Sequence, residues 1–136
     1  MLNSLLNASA IPALEEVINF TQARHQVLAG NIANLDTPGY RTRDLDCRMF
    51  QSQLKEAISA RDRSHGGDAS LGSAAPADHF EHVRDNLKAI LYHDQTNVGI
   101  EQQATEISKN QIQHNVATTI LASQFQLLGA AVSERA

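Results

Sequence analysis

Residues Ile100–Val132 read IEQQATEISKNQIQHNVATTILASQFQLLGAAV, a stretch with no proline and no glycine before Gly129. Every third or fourth residue falls on one line: Ile100, Ala104, Ile107, Gln111, His114, Thr118, Leu121, Phe125, Leu128 and Val132. Steps of four and three are those of a helix that presents one seam to a partner helix. Asn97 suits the cap and Glu101 the first turn, so the spacing predicts one helix of roughly 50 Å. Ile112, Val116, Ile120 and Leu127 widen its apolar face, and a helix so clothed must pack against more than one neighbour.

A second stripe lies near the other end of the chain. Leu14, Ile18, Thr21, His25, Leu28 and Ile32 repeat the same steps, predicting a helix from Ile11 to Asn34 of roughly 35 Å. Pro12 fits its first turn, and Glu15 and Glu16 complement the positive end of its dipole. The chain has 136 residues, 42% of them hydrophobic and only 4% aromatic, with no Trp, a mixture suited to helix-on-helix packing. The expected fold is mainly α: long N- and C-terminal helices packed as a coiled-coil-like domain, with an irregular, partly extended middle. The expected division is residues 1–34, first helix; 35–61, a turn and short helix; 62–96, a variable loop with an ambiguous segment; 97–136, last helix.

In the middle, Arg48 to Arg61 predicts a short helix with Phe50, Leu54, Ala57 and Ile58 on one side. The Gly/Ser-rich run that follows reads as a loop. The segment from His79 to Asn97 is ambiguous: Phe80, Val83, Leu87, Ile90 and Leu91 fit a helix, whereas Val83 and Ile90 to Tyr92 fit extended chain equally well.

Where the first helix stops, Leu28–Asp46 reads LAGNIANLDTPGYRTRDLD. Asn31 and Asn34 are three apart and so share a face. Asn34 tolerates the left-handed conformation that closes many helices. Asn31, one turn back, carries donors and an acceptor for backbone that folds back against it. Thr37-Pro38-Gly39-Tyr40 meets the demands of a type II turn, with Pro38 second and Gly39 third. Tyr40 is expected to pack at the corner with its hydroxyl on a polar partner.

GNIANLDTPGYRTRDLD resembles the N-terminal signature of the flagellar axial proteins, the rod and hook components, which share an Asn-Ile-Ala-Asn segment followed by Thr-Pro-Gly-Tyr and a basic residue. The matching residues are Asn31, Ile32, Ala33, Asn34, Thr37, Pro38, Gly39 and Tyr40. The RTRDLDCRMF continuation and the tail from Asp94 to Leu128 resemble proximal rod components, matching at Asp94, Asn97, Val98, Asn110, Gln111, Phe125 and Leu128. Gln95 stands where that family usually has Gly, and Cys47 where it usually has Phe.

The resemblance implies a non-enzymatic building block of the rod, the shaft that crosses the periplasm and transmits torque. It implies type III export without a cleaved signal peptide. It also implies contacts with other rod subunits, the rod-to-ring adaptor and the export gate or membrane ring, together with self-association. The seams suggest that Leu14, Ile18, Leu28 and Ile32 pack on Ile107, Leu121, Phe125 and Leu128 of the same or a neighbouring subunit.

Other classes fit less well. A net charge of −4 with dispersed basic residues argues against nucleic-acid binding. Arg41, Arg43 and Arg48 are close, but Asp44 and Asp46 are interleaved, which reads as a solvated or interface ion-pair segment. A single cysteine, Cys47, permits no intrachain disulfide or cysteine-based zinc site. His79 and His82 have a ligand-like spacing, yet no His-Glu-x-x-His, nucleophile elbow or phosphate loop is present, and His25 and His114 fall on the seams. No catalytic residue, metal, cofactor or small-molecule substrate is expected. No run of eighteen apolar residues suggests a membrane span, and the first residues lack the features of a secretory signal. A cytoplasmic coiled-coil adaptor would share the seams but has no need of the Asn31–Tyr40 motif; another rod subunit of the same family is the remaining alternative, against which only the middle region and the tail argue.

Overall fold

The fold is that of a computed structural model, which describes residues 9–66, 80–86, 91–93 and 99–133. Its elements are α1 (Ile11–Ala33), β1 (Arg43–Leu45), α2 (Cys47–Gly66), α3 (Glu81–Asn86), β2 (Leu91–His93) and α4 (Ile100–Ser133). The Gly/Ser-rich run over 67–79, the Asn97 cap with Asp94, Gln95 and Val98, and Leu87, Ile90 and His79 lie outside the described residues.

Pro12 occupies the first turn of α1, where its missing N–H costs nothing, and the Ile11 N–H donates to Ser9 Oγ. The helix closes at Asn34, whose N–H and Nδ2 both donate to the Gly30 carbonyl. Its φ of −108° shows that this closure does not use the left-handed conformation; the side chain caps the carbonyl directly instead. α2 begins at Cys47 because Asp46 Oδ1 accepts from the N–H groups of Arg48 and Met49, a side-chain cap. It runs to Gly66, five residues beyond the expected Arg61.

The ambiguous segment divides. Val83 enters helix α3, and Leu91–His93 forms the strand β2, pairing antiparallel with β1 in the register Arg43–His93, Asp44–Tyr92 and Leu45–Leu91. A ladder this short is not stable alone; it lies against α1.

The main hydrophobic cluster joins α1 to β1, α2 and α3. Phe20, Leu45, Phe50, Ala57, Phe80 and Val83 form it, with Ala13, Val17, Ala23, Val27, Cys47, Leu54 and Ile58 packed around them. Phe20 and Phe50 stack at 4.0 Å between ring centroids, tying α1 to α2. The cluster draws on α1, β1, α2 and α3 and on no residue of α4.

α1 and α4 form the antiparallel hairpin, since partners of descending number on α1 meet ascending numbers on α4: Asn31 with Gln103, Arg24 with Glu106, Thr21 with Asn110 and His114. The faces differ from the expected seams. α1 buries Ile11, Glu16, Phe20, Thr21, Arg24, Leu28 and Asn31, while Leu14, Ile18 and Ile32 are partly buried and His25 is exposed. The reason is that α1 is covered on two sides, so no single stripe describes it. Glu16 is not a surface dipole residue but fully buried, accepting from Arg84 Nε of α3 at 2.7 Å. On α4 the covered line is Gln103, Asn110 and Ala117, flanked by Glu106, Ile107, His114, Leu121, Gln124 and Leu128. Gln111 and Thr118 are exposed.

Candidate functional site

Asn31 is the centre of the most completely bonded polar cluster described. Its Oδ1 accepts from the Arg43 N–H at 3.0 Å and from the Tyr40 hydroxyl at 3.1 Å. Its Nδ2 donates to the Arg43 carbonyl at 2.6 Å and to Gln103 Oε1 at 3.2 Å. A carboxamide offers two donor hydrogens and two acceptor lone pairs, and all four are used. Residues of an antiparallel strand alternately face and turn away from the partner strand. Arg43 turns its N–H and C=O away from β2, and the Asn31 amide meets both, doing at one point what a third strand would do.

The turn that delivers β1 to this position has the type II form. Tyr40 N–H donates to the Thr37 carbonyl at 3.1 Å, and Gly39, third of the four, has φ +77°. An L side chain there would be strained whatever the space around it. Thr37, Pro38 and Gly39 are exposed, as is Ala33; Ile32 and Asn34 are partly buried. The motif therefore divides into inward anchors, Asn31 and Tyr40, and an exposed corner.

Arg24 makes a second junction two turns earlier on α1. Its Nε and Nη2 hold the two carboxylate oxygens of Asp44 at 2.8 and 2.7 Å, and Nη2 also reaches Glu106 at 2.8 Å. The bond to Asp44 holds the guanidinium further above its ordinary range, against the opposing effect of burial. Glu106 is held below the usual carboxylate range by its bond to Lys109, opposed by burial and reinforced by Arg24. Asp44 thus enters an ion pair, with Arg24 of α1, while Asp46 caps α2; among the described residues neither has an ion pair with Arg41, Arg43 or Arg48. Burial pushes the nearby Cys47 thiol up, against the influence of Arg24.

A third junction joins Thr21 to α4. The Thr21 hydroxyl donates to the Ile18 carbonyl, which makes His114 Nδ1 the donor of its 2.9 Å bond to Thr21 Oγ1. Asn110 Nδ2 donates to the Thr21 carbonyl at 2.7 Å, while its buried Oδ1 has no hydrogen-bond partner among the described residues. Polar side chains thus cross the hairpin beside seam residues such as Leu28, buried, and Ile107 and Leu121, partly buried. Sequence reading missed Arg24, Gln103 and Glu106, and singled out Asn110 only through the resemblance, because amides and charges at helical spacing look like a solvated face. Their regular three-and-four spacing was the available signal.

The apolar residues of α4 lie elsewhere. Ile112, Val116, Ile120 and Leu127 form a second face and are 63%, 53%, 43% and 62% exposed. Phe125 is 50% exposed, although it lies near the hairpin side. The register places Ile11 opposite about residue 122, so α4 outruns α1 by about 16 Å at 1.5 Å per residue. Of the proposed seam, Leu28 is buried, Leu14, Ile18, Ile32, Ile107, Leu121 and Leu128 are partly buried, and Phe125 is uncovered. From Gln111 to Ser133 there is no charged residue. By length and composition α4 passes as a membrane-crossing helix, which the absence of long apolar runs had not suggested. Gln111, Gln113, Asn115, Gln124 and Gln126 would be costly in lipid and suit a protein surface better. Among the described residues no three His, Cys, Asp or Glu side chains gather as a metal site; His82 is exposed on α3.

These features define a structural packing protein: a helical hairpin whose organised polar side chains fix one helix, one turn and one strand to each other, beside a long uncharged apolar face. A family model described as flagella basal body rod protein matches residues 19–41, which include Thr21, Arg24, Asn31 and the turn. The flagellar basal body rod protein FlgB of Yersinia enterocolitica is 30% identical over 121 residues, covering 82% of this chain and 85% of the relative. FlgB of Salmonella typhimurium is 29% identical over 125 residues, 87% and 88% of the two chains. FlgB of Aquifex aeolicus is 28% identical over 126 residues, 90% and 91% of the two. The chain belongs to the FlgB family of flagellar basal body rod proteins.

Proposed function

We infer that the chain is a structural subunit of the flagellar basal-body rod, acting in its proximal part, where the shaft crosses the periplasm and transmits torque. The observation that carries this reading is the exposed apolar face of α4, on a helix without a charge from Gln111 to Ser133. Exposed apolar residues in such a row mark a protein contact. The absence of charge suits a helix surrounded by other helices, where a buried unpaired ion would cost several kcal/mol.

In this reading α1 and α4 form the inner layer, and neighbouring subunits cover Ile112, Val116, Ile120, Phe125 and Leu127. The Thr37–Leu45 arm leaves that layer at an angle fixed by Asn31 and the type II turn and docks on an adjacent subunit. The partially covered seam residues Leu14, Ile18, Ile32, Ile107, Leu121 and Leu128 complete the packing around the hairpin. Head-to-tail contacts of this kind build open arrays, so the array ends at other proteins. Those partners are other rod subunits, the rod-to-ring adaptor and the export gate or membrane ring. The subunit reaches the rod by type III export, and its work there is packing against neighbouring proteins.

Mass spectrometry of purified hook–basal bodies, with the soluble fraction as control, tests the reading. The chain is expected to be enriched in the basal bodies. Its absence from intact basal bodies, with abundance in the cytosol, would overturn the assignment.

A further inference from the structure

Two side chains of α1 each hold β1 on one side and α4 on the other. Asn31 grips the Arg43 backbone at 2.6 and 3.0 Å and reaches Gln103 at 3.2 Å. Arg24 grips the Asp44 carboxylate at 2.8 and 2.7 Å and reaches Glu106 at 2.8 Å. In both cases the bidentate grip faces the arm and the single bond faces the tail helix. These two residues are therefore shared supports. The cluster of Phe20, Leu45, Phe50, Ala57, Phe80 and Val83 contains no residue of α4, whose own buried apolar contribution is Ala117.

We propose that docking of α4 and placement of the Thr37–Leu45 arm are one coupled transition, with Asn31 and Arg24 as the couplers. With α4 docked, Gln103 orients the Asn31 amide so that its oxygen faces the Arg43 N–H and the Tyr40 hydroxyl. Glu106 fixes the second edge of the Arg24 guanidinium while Asp44 holds the first. Without α4 both side chains regain rotamer freedom, and the strand edge loses its fixed acceptor and donor. Tyr40 loses the orientation of its partner at the same time, so the corner loosens with the strand. Asp44 keeps an arginine that is no longer pinned. The effect is reciprocal: an arm out of place leaves Gln103 and Glu106 facing partners that are not held. What this means for assembly rests on the rod-subunit reading: the arm presents its docking angle only after the tail helix is seated, which orders the two contacts. The coupling itself does not depend on that reading.

Hydrogen exchange of the full-length chain, read at single amides, tests it. Gln103→Ala with Glu106→Ala removes both tail-side bonds and touches no arm residue. The Arg43 and Tyr40 amides, held through Asn31 Oδ1 and the Thr37 carbonyl, are expected to exchange about tenfold faster, within the usual range for coupled sites. Leu121→Ala serves as control, because it weakens the hairpin without meeting either coupler. Matched to the same loss of global stability by denaturant, it should change the arm amides less than twofold. Reciprocally, Asp44→Asn should speed exchange of the amides from Gln103 to Asn110. Unchanged arm amides in the double variant, or equal acceleration by Leu121→Ala, would overturn the proposal. If the double variant does not fold, Gln103→Met alone is read by the same criteria. Occupancy of basal bodies is measured separately, so failure of the coupling and failure of the rod assignment are distinguishable.

Discussion

Replacing Asn31 by Ala removes all four hydrogen bonds of a side chain that is 1% exposed. Each typical bond contributes about 0.5–1.5 kcal/mol net, and a partner left buried and unmet costs more. The Arg43 backbone and Tyr40 hydroxyl are near enough to the surface to regain water, whereas Gln103 is 5% exposed and is not. The expected loss is therefore about 3 kcal/mol, a large part of the 5–15 kcal/mol of a typical domain. Asn34→Ala, which loses one side-chain bond to Gly30, should cost about 1 kcal/mol. Asn31→Asp is the sharper perturbation, since it keeps the shape and exchanges the donor for an oxygen. Gln103 can rotate its amide to donate to that oxygen, but the Arg43 carbonyl at 2.6 Å cannot. At neutral pH Asp should destabilise more than Ala, and the excess should shrink as acid protonates the new carboxylate and restores a donor. Urea unfolding followed by far-UV circular dichroism at neutral and acid pH measures this as a shift in midpoint at constant slope. An Asn31→Asp chain within about 0.5 kcal/mol of the parent at neutral pH would refute the strand-surrogate role, because surface substitutions do no more than that.

Phe50→Ala removes the ring stacked on Phe20 and should cost about 3–5 kcal/mol in the same unfolding assay, while Met49→Ala, exposed beside it, should be near neutral. Glu106 titrates below its ordinary range in the fold, so the folded chain binds its proton less readily than the unfolded chain. Its contribution is complete above the ordinary carboxylate range and is lost as pH falls through the lowered value. Glu106→Gln should therefore flatten the acid side of the stability profile, measured by thermal unfolding across pH. Phe125→Asp should leave the isolated fold and its thermal midpoint nearly unchanged while abolishing motility in a complementation assay. Leu121→Asp, partly buried on the hairpin side, should lower both, and a motile Phe125→Asp strain would count against the exposed face as a subunit contact.

The two long helices are legible in residue spacing, because helical periodicity is a local property and Pro12 and Gly129 bracket what it allows; their antiparallel pairing within one chain comes from the contacts of Asn31, Arg24 and Thr21 with α4. The corner is legible for the same reason: Pro38 and Gly39 restrict their own backbone, and the type II turn follows from them without reference to the rest of the chain. The capping of α2 by Asp46 is local too, although its extent to Gly66 is not marked by any stop residue before the glycine. Which face of each helix meets which partner was not legible. Of the expected α4 seam, Ile107, His114, Leu121 and Leu128 lie on the partly covered side, but the bonds across the hairpin are also made by Gln103, Glu106 and Asn110, which the spacing of apolar residues does not mark. Likewise the burial of Glu16 and Arg24 is not marked along the chain, because α3, β1 and α4 supply their partners. Where the backbone is helical and where it must turn depends on neighbours along the chain and can be read there. Only the tertiary structure decided which polar groups are buried, because a buried amide or charge is tolerable only when residues distant in sequence bring it a partner, and that pairing is a property of the packed chain.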